Sequence, residues 1–131
     1  MIFLDTNFII SLFLKKHDNH DRATEIWRNI QNEDKIISRL TIAEVLNVLN
    51  IRVKANIELT EKVCKFMFDE LIIINDIDYY IKAMKHLKLY YPERIAFFDC
   101  IYMVLMEELG IKEIATFDED FDLNKNIKRI H

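Results

Sequence analysis

The chain has 131 residues, of which 51% are apolar, and a formal net charge of -4. The length fits one domain that spans residues 1–131, and the apolar fraction excludes an intrinsically disordered chain. The negative charge counts against a protein that holds nucleic acid by charge alone, because such proteins are usually basic.

Short apolar runs and stretches of helical periodicity predict strands that alternate with helices. The predicted strands are Met1–Leu4, Lys35–Ser38, Ile72–Ile74, Glu113–Thr116 and Ile127–Ile130. The predicted helices are Phe8–Lys15, His20–Asn32, Thr41–Lys54, Leu59–Leu71, Ile77–Leu89 and Phe97–Leu109. We expect Ser38 or Thr41 to cap the third helix and Thr60 to cap the fourth. This order indicates an α/β fold with a short, mostly parallel sheet that helices cover on both faces.

Two cysteines, Cys64 and Cys100, lie far apart in apolar stretches and form no metal-binding motif. We interpret them as buried free thiols in a reducing compartment. The apolar stretch Phe8–Leu14 is too short to span a bilayer and precedes no cleavage motif. The sequence therefore predicts a cytoplasmic protein with no membrane partner.

Several acids follow predicted strands, where parallel α/β folds place their ligand sites. Asp5 directly follows the first strand, and the acidic segment Asp118–Asp122 follows the strand that ends at Thr116. Asp5 could instead serve as a helix N-cap, for which Asp is well suited. The acidic segment could be only a solvated surface.

Two further acids stand alone in apolar helices. Glu44 is the only charged residue between Arg39 and Arg52, and Asp99 is the only acid in Ile95–Met106. Burying an unpaired carboxylate is costly, so each needs solvent, hydrogen-bond donors or a cation. The alternatives are that Glu44 lies on an exposed strip of its helix and that Asp99 is an N-cap.

A parallel sheet would gather these acids at one edge, where their repulsion raises their pKa values unless cations neutralise them. Oxygen ligands with open water positions suit Mg²⁺ or Mn²⁺, which bridge phosphate oxygens and activate water in phosphodiester hydrolysis. The sequence has no glycine-rich phosphate loop, which excludes nucleotide binding of the P-loop type, and no G-x-S-x-G elbow.

The chain carries four short motifs in order: Ile2-Phe3-Leu4-Asp5-Thr6-Asn7, then Ser38-Arg39-Leu40-Thr41-Ile42-Ala43-Glu44, then Phe98-Asp99, and last Leu109-Gly110 with Ala115-Thr116-Phe117-Asp118-Glu119-Asp120-Phe121. Each motif is weak alone, but the ordered set resembles the PIN domain family and, within it, the VapC-like toxin ribonucleases. The likeness covers nearly the whole chain. It implies a PIN-like three-layer α/β/α sandwich and an endoribonuclease that depends on Mg²⁺ or Mn²⁺.

The resemblance also implies roles for single residues. The catalytic and metal-binding acids of the family match Asp5, Glu44, Asp99 and Asp118, with Asp120 as a further metal ligand. The supporting polar residues match Thr6, Asn7 and Thr116. Relatives of this type are typically homodimers that cleave structured RNA and are silenced by a VapB-like antitoxin. The family often has small residues after its late Asp, whereas this chain has the bulkier Cys100–Met103, which leaves the packing of that helix open.

Basic residues near the expected site are candidate RNA contacts: Lys15, Lys16, Arg39 and, less directly, Arg94. All of them could equally be ordinary solvated charges. Four tyrosines could stack on bases or pack at the rim of the core: Tyr79, Tyr80, Tyr90 and Tyr91. We interpret His17 and His20 as surface residues, because the sequence shows no partner for either.

Three alternatives remain from the sequence. A haloacid-dehalogenase-like phosphatase needs a second Asp where Asn7 stands, and a receiver domain needs paired acids where the chain has Asp5-Thr6. A PIN-like fold without activity, acting as a binding or scaffold module, would usually lack one of the acids. Within the nuclease interpretation, a toxin and an RNA-processing enzyme without an antitoxin differ in genetic context rather than in sequence.

Overall fold

The computed structural model describes residues 1–131 and contains one sheet of five parallel strands. The strands are β1 (Ile2–Leu4), β2 (Lys35–Ser38), β3 (Ile72–Ile74), β4 (Glu113–Ala115) and β5 (Lys128–Ile130). Their order across the sheet is β3-β2-β1-β4-β5, so β1 is central and the strand order reverses between β1 and β4. Sheets of this kind bind ligands beyond the carboxyl ends of the strands, beside such a reversal.

Six α-helices cover the two faces of the sheet, which confirms the expected α/β/α sandwich. They are α1 (Thr6–Phe13), α2 (His20–Asn29), α3 (Arg39–Asn47), α4 (Ile57–Glu70), α5 (Tyr80–Tyr90) and α6 (Phe97–Leu109). A π-helical segment, Val48–Val53, continues α3, and 3-10 segments occupy Ile77–Tyr79 and Glu119–Leu123. None of the helices is both long enough and apolar enough to cross a membrane.

Alternate residues of the strands point into two separate cores. In β1, Ile2 and Leu4 pack with helices α1 to α4, whereas Phe3 packs with α5 and α6. Every residue of α6 from Cys100 to Met106 is buried, as expected for a helix that is apolar on all sides. The bulky residues after Asp99 therefore fit this core.

The helix predicted over Thr41–Lys54 begins earlier and divides into two parts. It begins at Arg39, because Ser38 is the N-cap and its Oγ atom accepts the backbone N–H of Thr41 at 3.3 Å. It changes after Asn47 into the π-helical segment, which ends where Lys54 adopts a left-handed conformation with φ of 54°. Apolar periodicity does not distinguish the two helical forms, so the sequence predicted one continuous helix.

The prediction that Thr60 caps α4 is wrong. Asn56 is the N-cap, since its Oδ1 atom accepts the backbone N–H of Leu59 at 2.8 Å, and the helix begins at Ile57. The prediction of buried thiols is correct for Cys100 only. Cys64, on α4, is half-buried, and both cysteines are free.

A buried carboxylate from another segment holds the N-terminus of α3. Asp76, which lies between β3 and α5, is 5% exposed, and its Oδ2 atom accepts the backbone N–H of Leu40 at 2.7 Å. The first N–H groups of a helix have no partner within the helix, and this end of the helix dipole attracts negative charge. Asp76 therefore fixes the start of the helix that carries Glu44.

We predict that Asp76→Ala lowers the free energy of unfolding by about 1–3 kcal/mol, because the N–H of Leu40 loses its acceptor. Urea unfolding followed by circular dichroism measures this change. Asp78→Ala is the matched control, since it removes the same charge from an exposed position, and we expect a change within about 0.5 kcal/mol. Equal effects of the two substitutions would contradict the role given to the Asp76 contact.

Candidate active site

Asp5 lies at the carboxyl end of the central strand β1 and forms the N-cap of α1. Its Oδ1 atom accepts the backbone N–H of Thr6 at 2.8 Å, and its Oδ2 atom accepts the hydroxyl of Thr116 at 2.7 Å. The residue is 5% exposed. Asp5 is thus an N-cap, as the alternative interpretation held, and the cap holds its carboxylate at the strand reversal.

Hydrogen bonds of Thr116 and Asn7 connect the end of β4 to the start of α1. Thr116 Oγ1 donates to Asp5, and it accepts the backbone N–H of Asp118 at 3.0 Å and the amide Nδ2 of Asn7 at 3.2 Å. Asn7 Oδ1 accepts the backbone N–H of Phe117 at 3.0 Å. These bonds hold the segment after β4 beside Asp5, and with it the carboxylate of Asp118.

Glu44 approaches the same region from α3. Its Oε1 atom accepts the hydroxyl of Thr6 and also the hydroxyl of Tyr102, the latter at 2.9 Å. Tyr102 is fully buried on α6. Burial raises the pKa of its hydroxyl, as does the Glu44 carboxylate, so Tyr102 remains a hydrogen-bond donor at neutral pH. Both donors use the same oxygen of Glu44, which leaves the other oxygen for a further ligand.

Three more acids complete the group. Asp99 lies in the first turn of α6, whose N-cap is Ala96, so the alternative that Asp99 is an N-cap is wrong. Asp118 caps the 3-10 segment, and its Oδ1 atom accepts the backbone N–H of Asp120 at 2.9 Å. One carboxylate oxygen each of Asp99, Asp118 and Asp120 lies within 4.8 Å of the other two. Ligands of one cation can have such separations.

An open cavity of about 390 Å³, called here the acid cavity, connects these groups. Five regions of the chain contribute to its lining: Asp5, Thr6, Asn7 and Ile10 from the start of α1 and its N-cap, His17 from the loop after α1, Glu44, Val48, Arg52 and Val53 from α3 and the π-helical segment, Ala96 and Asp99 from the start of α6 and its N-cap, and Asp118 from the segment after β4. The structure therefore brings four of the predicted acids to one cavity. Asp120 and Thr116 lie beside them without lining it.

Burial and like charge set the electrostatics of the acid cavity. Burial raises the pKa of Asp5 to about 7, and the carboxylates of Glu44 and Asp118 add to the rise, although the Thr116 hydrogen bond opposes it. Burial first, and then the neighbouring carboxylates, with that of Asp5 foremost, raise the pKa of Asp99 to about 8. A bound cation stabilises the ionised form of such carboxyl groups, because its positive charge compensates their negative charge in the buried site. The all-oxygen donor set fits Mg²⁺ or Mn²⁺.

The candidate RNA contacts lie in different places. Lys15 and Lys16 line a cavity of about 560 Å³ that shares His17 and Val53 with the acid cavity. Arg39 does not line the acid cavity; it contacts Asn75 Oδ1 at 3.5 Å and lies in a separate cavity near Asp76.

The other candidates from the sequence are mostly structural. Tyr79, Tyr80 and Tyr90 pack against the core formed by α5 and α6. Tyr91 is exposed, and the Arg94 guanidinium lies 5.4 Å from the centre of its ring. His20 Nδ1 bonds to the carbonyl of Ser11 at 2.9 Å. His17, interpreted from the sequence as a surface residue, instead lines the acid cavity.

Sequence analysis did not identify Tyr102 and Arg52 as residues of this site. A signal for Tyr102 exists, because a tyrosine in a buried apolar helix usually needs a hydrogen-bond partner. Arg52 has no such signal, since its direction depends on the π-helical segment.

Raised carboxyl pKa values make the cation-free protein less stable as pH rises. Between about pH 4 and pH 8 the folded chain holds protons on Asp5 and Asp99 that the unfolded chain has released, so the free energy of unfolding falls across this range. We predict that Asp99→Asn flattens this slope and is more stable than the native chain at pH 8.5, by on the order of a few kcal/mol. Urea unfolding in EDTA at pH 5, 7 and 8.5 measures it.

The control for the pH experiment is Glu119→Gln, at an exposed acid next to Asp118. It is expected to keep the native slope. Parallel slopes for the native chain and Asp99→Asn would contradict the raised pKa of Asp99.

Comparison with known proteins assigns the chain to a family. The family model described as PIN domain matches residues 2–126. No curated protein has significant similarity to the chain. Among solved structures, VapC20 of Mycobacterium tuberculosis, described as a toxin that cleaves the sarcin–ricin loop, has a TM-score of 0.83 and 20% identity over 94% of each chain.

Two further solved structures are similar. VapBC2 of Rickettsia felis, bound to a DNA fragment from its promoter, has a TM-score of 0.70 and 19% identity over 99% of this chain and 98% of that chain. FitAcB of Neisseria gonorrhoeae has a TM-score of 0.69 and 17% identity over 100% of this chain and 97% of that chain. At these identities the likeness shows a shared fold. Since the family model covers nearly the whole sequence, the chain belongs to the PIN domain family.

Proposed function

We propose that this protein is an endoribonuclease that hydrolyses RNA phosphodiester bonds with Mg²⁺ or Mn²⁺, as the toxin of a VapBC-type toxin–antitoxin pair. The observation that carries the proposal is the convergence of Asp5, Glu44, Asp99 and Asp118 on one open cavity at the strand reversal. The proposed enzyme is a single domain of residues 1–131 that acts in the cytoplasm.

The proposed cation ligands are Asp5, Glu44, Asp99 and Asp118, with Asp120 as a further candidate. Their fit rests on the oxygen-only donor set, on the short separations among Asp99, Asp118 and Asp120, and on the raised pKa values of Asp5 and Asp99. When bound, a divalent cation polarises the phosphodiester and lowers the pKa of a water molecule.

The chain's own residues orient the acids. Thr116 and the backbone of Thr6 hold both oxygens of Asp5, while Thr6 and Tyr102 hold one oxygen of Glu44. These donors fix the direction of each carboxylate before substrate binds, which lowers the cost of organising the site.

His17 also lines the acid cavity and offers a hydrogen-bond donor there. Its Nδ1 atom accepts the backbone N–H of Asn19 at 3.1 Å, so the neutral ring carries its proton on Nε2. We assign this N–H to a phosphate oxygen of the substrate. Lys15 and Lys16, in the adjoining cavity, are the proposed contacts to the phosphates further along the RNA, and Arg39 is a more distant candidate.

The proposed partners are a VapB-like antitoxin and a second copy of the chain. The support is the fold shared with VapC20, VapBC2 and FitAcB, whose descriptions name a toxin and protein complexes. On α4, Val63 and Met67 lie in the core, whereas Ile51 and Ile57 are exposed and available for association. Light scattering of the purified chain tests the dimer directly.

The test of the proposed activity is RNA cleavage by the purified chain in Mg²⁺, Mn²⁺ or EDTA. We predict that a structured RNA pool is cut only with a divalent cation, and that Asp99→Asn lowers the rate about 100-fold or more. Glu119→Gln, at an exposed acid next to Asp118, is the control and is expected to keep the native rate. Gel electrophoresis of end-labelled RNA measures each rate.

The outcomes separate the alternatives. Cleavage that needs a cation and is lost in Asp99→Asn supports the ribonuclease. If no RNA is cut but a cation raises the melting temperature of the native chain alone, the site binds cations and the ribonuclease assignment fails for these RNAs. If cations change neither the rate nor the melting temperature, the chain is a scaffold module and the proposal is wrong.

The Tyr102 hydroxyl gives a second prediction. Tyr102→Phe keeps the ring in the core but removes one donor from Glu44, so we expect Mn²⁺ affinity to fall about 10-fold. Titration of the melting temperature with Mn²⁺ measures this affinity. Tyr90→Phe makes the same chemical change on α5 and should leave the affinity as it is. Equal affinities of the two variants would show that the Tyr102 bond does not orient Glu44.

A further inference from the structure

A second cavity, called here the notch, adjoins the acid cavity. It has a volume of about 420 Å³ and lies between the outer face of α3, the π-helical segment and the N-terminus of α6. The notch and the acid cavity share three lining residues, Glu44, Val48 and Arg52. The two cavities therefore adjoin along these three residues.

Phe98 forms one wall of the notch with an exposed aromatic ring. The residue is 43% exposed and directly precedes Asp99, whereas its neighbour Phe97 packs on Tyr80 in the core. The other exposed aromatics of comparable size, Phe68 and Tyr91, line none of the cavities. Phe98 thus exposes an apolar ring to solvent next to the acids.

Polar groups of the notch are available to a ligand. Arg52 is exposed, lines both cavities, and takes part in none of the ion pairs of the chain. Asn47, the last residue of α3, is also exposed and lines the notch. Its amide offers both a donor and an acceptor.

We propose that the notch is a nucleotide subsite, in which the ring of Phe98 stacks on the base of the nucleotide next to the bond that is cut. The Asn47 amide lies at the edge of that base. Arg52, at the junction of the cavities, binds the phosphate that links this nucleotide to the one in the acid cavity. This assignment rests on the proposed ribonuclease function and adds to it a residue that selects unpaired nucleotides.

The combination of groups favours a nucleotide over other occupants. An aromatic face, an amide and a guanidinium match the base face, the base edge and the phosphate of a nucleotide. The cavity volume falls in the range of about 300–1,000 Å³ that is usual for small ligands. A base can stack on Phe98 only when one of its faces is free of a neighbouring base, so the subsite selects single-stranded or looped RNA.

The test measures RNA binding separately from cleavage. The probe is a fluorescein-labelled RNA of ten nucleotides, of mixed sequence without internal pairing, and fluorescence anisotropy is recorded in EDTA so that no cleavage occurs. We expect Phe98→Leu to weaken binding about 5- to 100-fold, because leucine fills space but has no ring face. Phe98→Trp should retain or strengthen binding. Phe68→Leu, on α4, is the matched control and should bind as the native chain does.

A second measurement identifies the contact. The same RNA with 5-iodouridine is irradiated in the complex, and mass spectrometry of the peptides locates the crosslink. A crosslink at Phe98 that disappears in Phe98→Leu supports the subsite. A crosslink elsewhere, together with native affinity of Phe98→Leu, overturns it.

The remaining outcomes distinguish this inference from the proposed function. If the native chain cuts RNA but Phe98→Leu binds with native affinity and an unchanged KM, the subsite is wrong and the ribonuclease stands. If the native chain neither binds nor cuts RNA, both fail. If Phe98→Leu turns a dimer into a monomer while RNA binding is unchanged, the notch is a contact between two copies and the subsite is wrong.

Discussion

The burial of several mutually repelling carboxyl groups at the end of the central strand is the constraint on which the rest of the site depends. Asp5 and Asp99 are almost completely buried, and both have pKa values raised towards neutrality. None of the seven ion pairs of the chain includes either residue, Glu44 or Asp118. The groups that hold Asp5, Glu44 and Asp118 are neutral donors, namely hydroxyls and backbone N–H groups. Such donors orient carboxylates while leaving their negative charge uncancelled, so the site keeps its attraction for a cation.

The two hydrophobic cores on either side of the sheet stabilise the fold and offset the free-energy cost of placing these acids together. The core of α1 to α4 holds the helices that carry Thr6 and Glu44, and the core of α5 and α6 holds the helix that carries Asp99. The hydrogen bond from Tyr102 to Glu44 joins the two layers past the end of the sheet. Apolar burial in both layers stabilises the fold by an amount roughly proportional to area, which offsets repulsion confined to one edge.

The sequence was sufficient for the parallel sheet and for the approximate place of the acids. Asp5 could be placed because a short apolar run ends directly before it, and Asp99 because it interrupts a long apolar helix. Contacts between distant segments of the chain could not be predicted from the sequence. The contact of Asp76 with the start of α3 and the pairing of Tyr102 with Glu44 both depend on tertiary placement that no local pattern contains. Arg39 follows a strand as Asp5 does, yet its long side chain lies in a different cavity.

The π-helical segment makes the wall of this site sensitive to how one helical turn is wound. A π-helical turn holds one residue more than the α-helical turn it replaces, and such turns often occur at functional sites. If the same residues of Val48–Val53 were wound as an ordinary α-helix, at about 100° per residue, those after Asn47 would be turned around the helix axis from their present positions. Arg52 would then leave the junction between the acid cavity and the notch. A substitution that favours α-helical winding in this segment would therefore move Arg52 while leaving every acid in place.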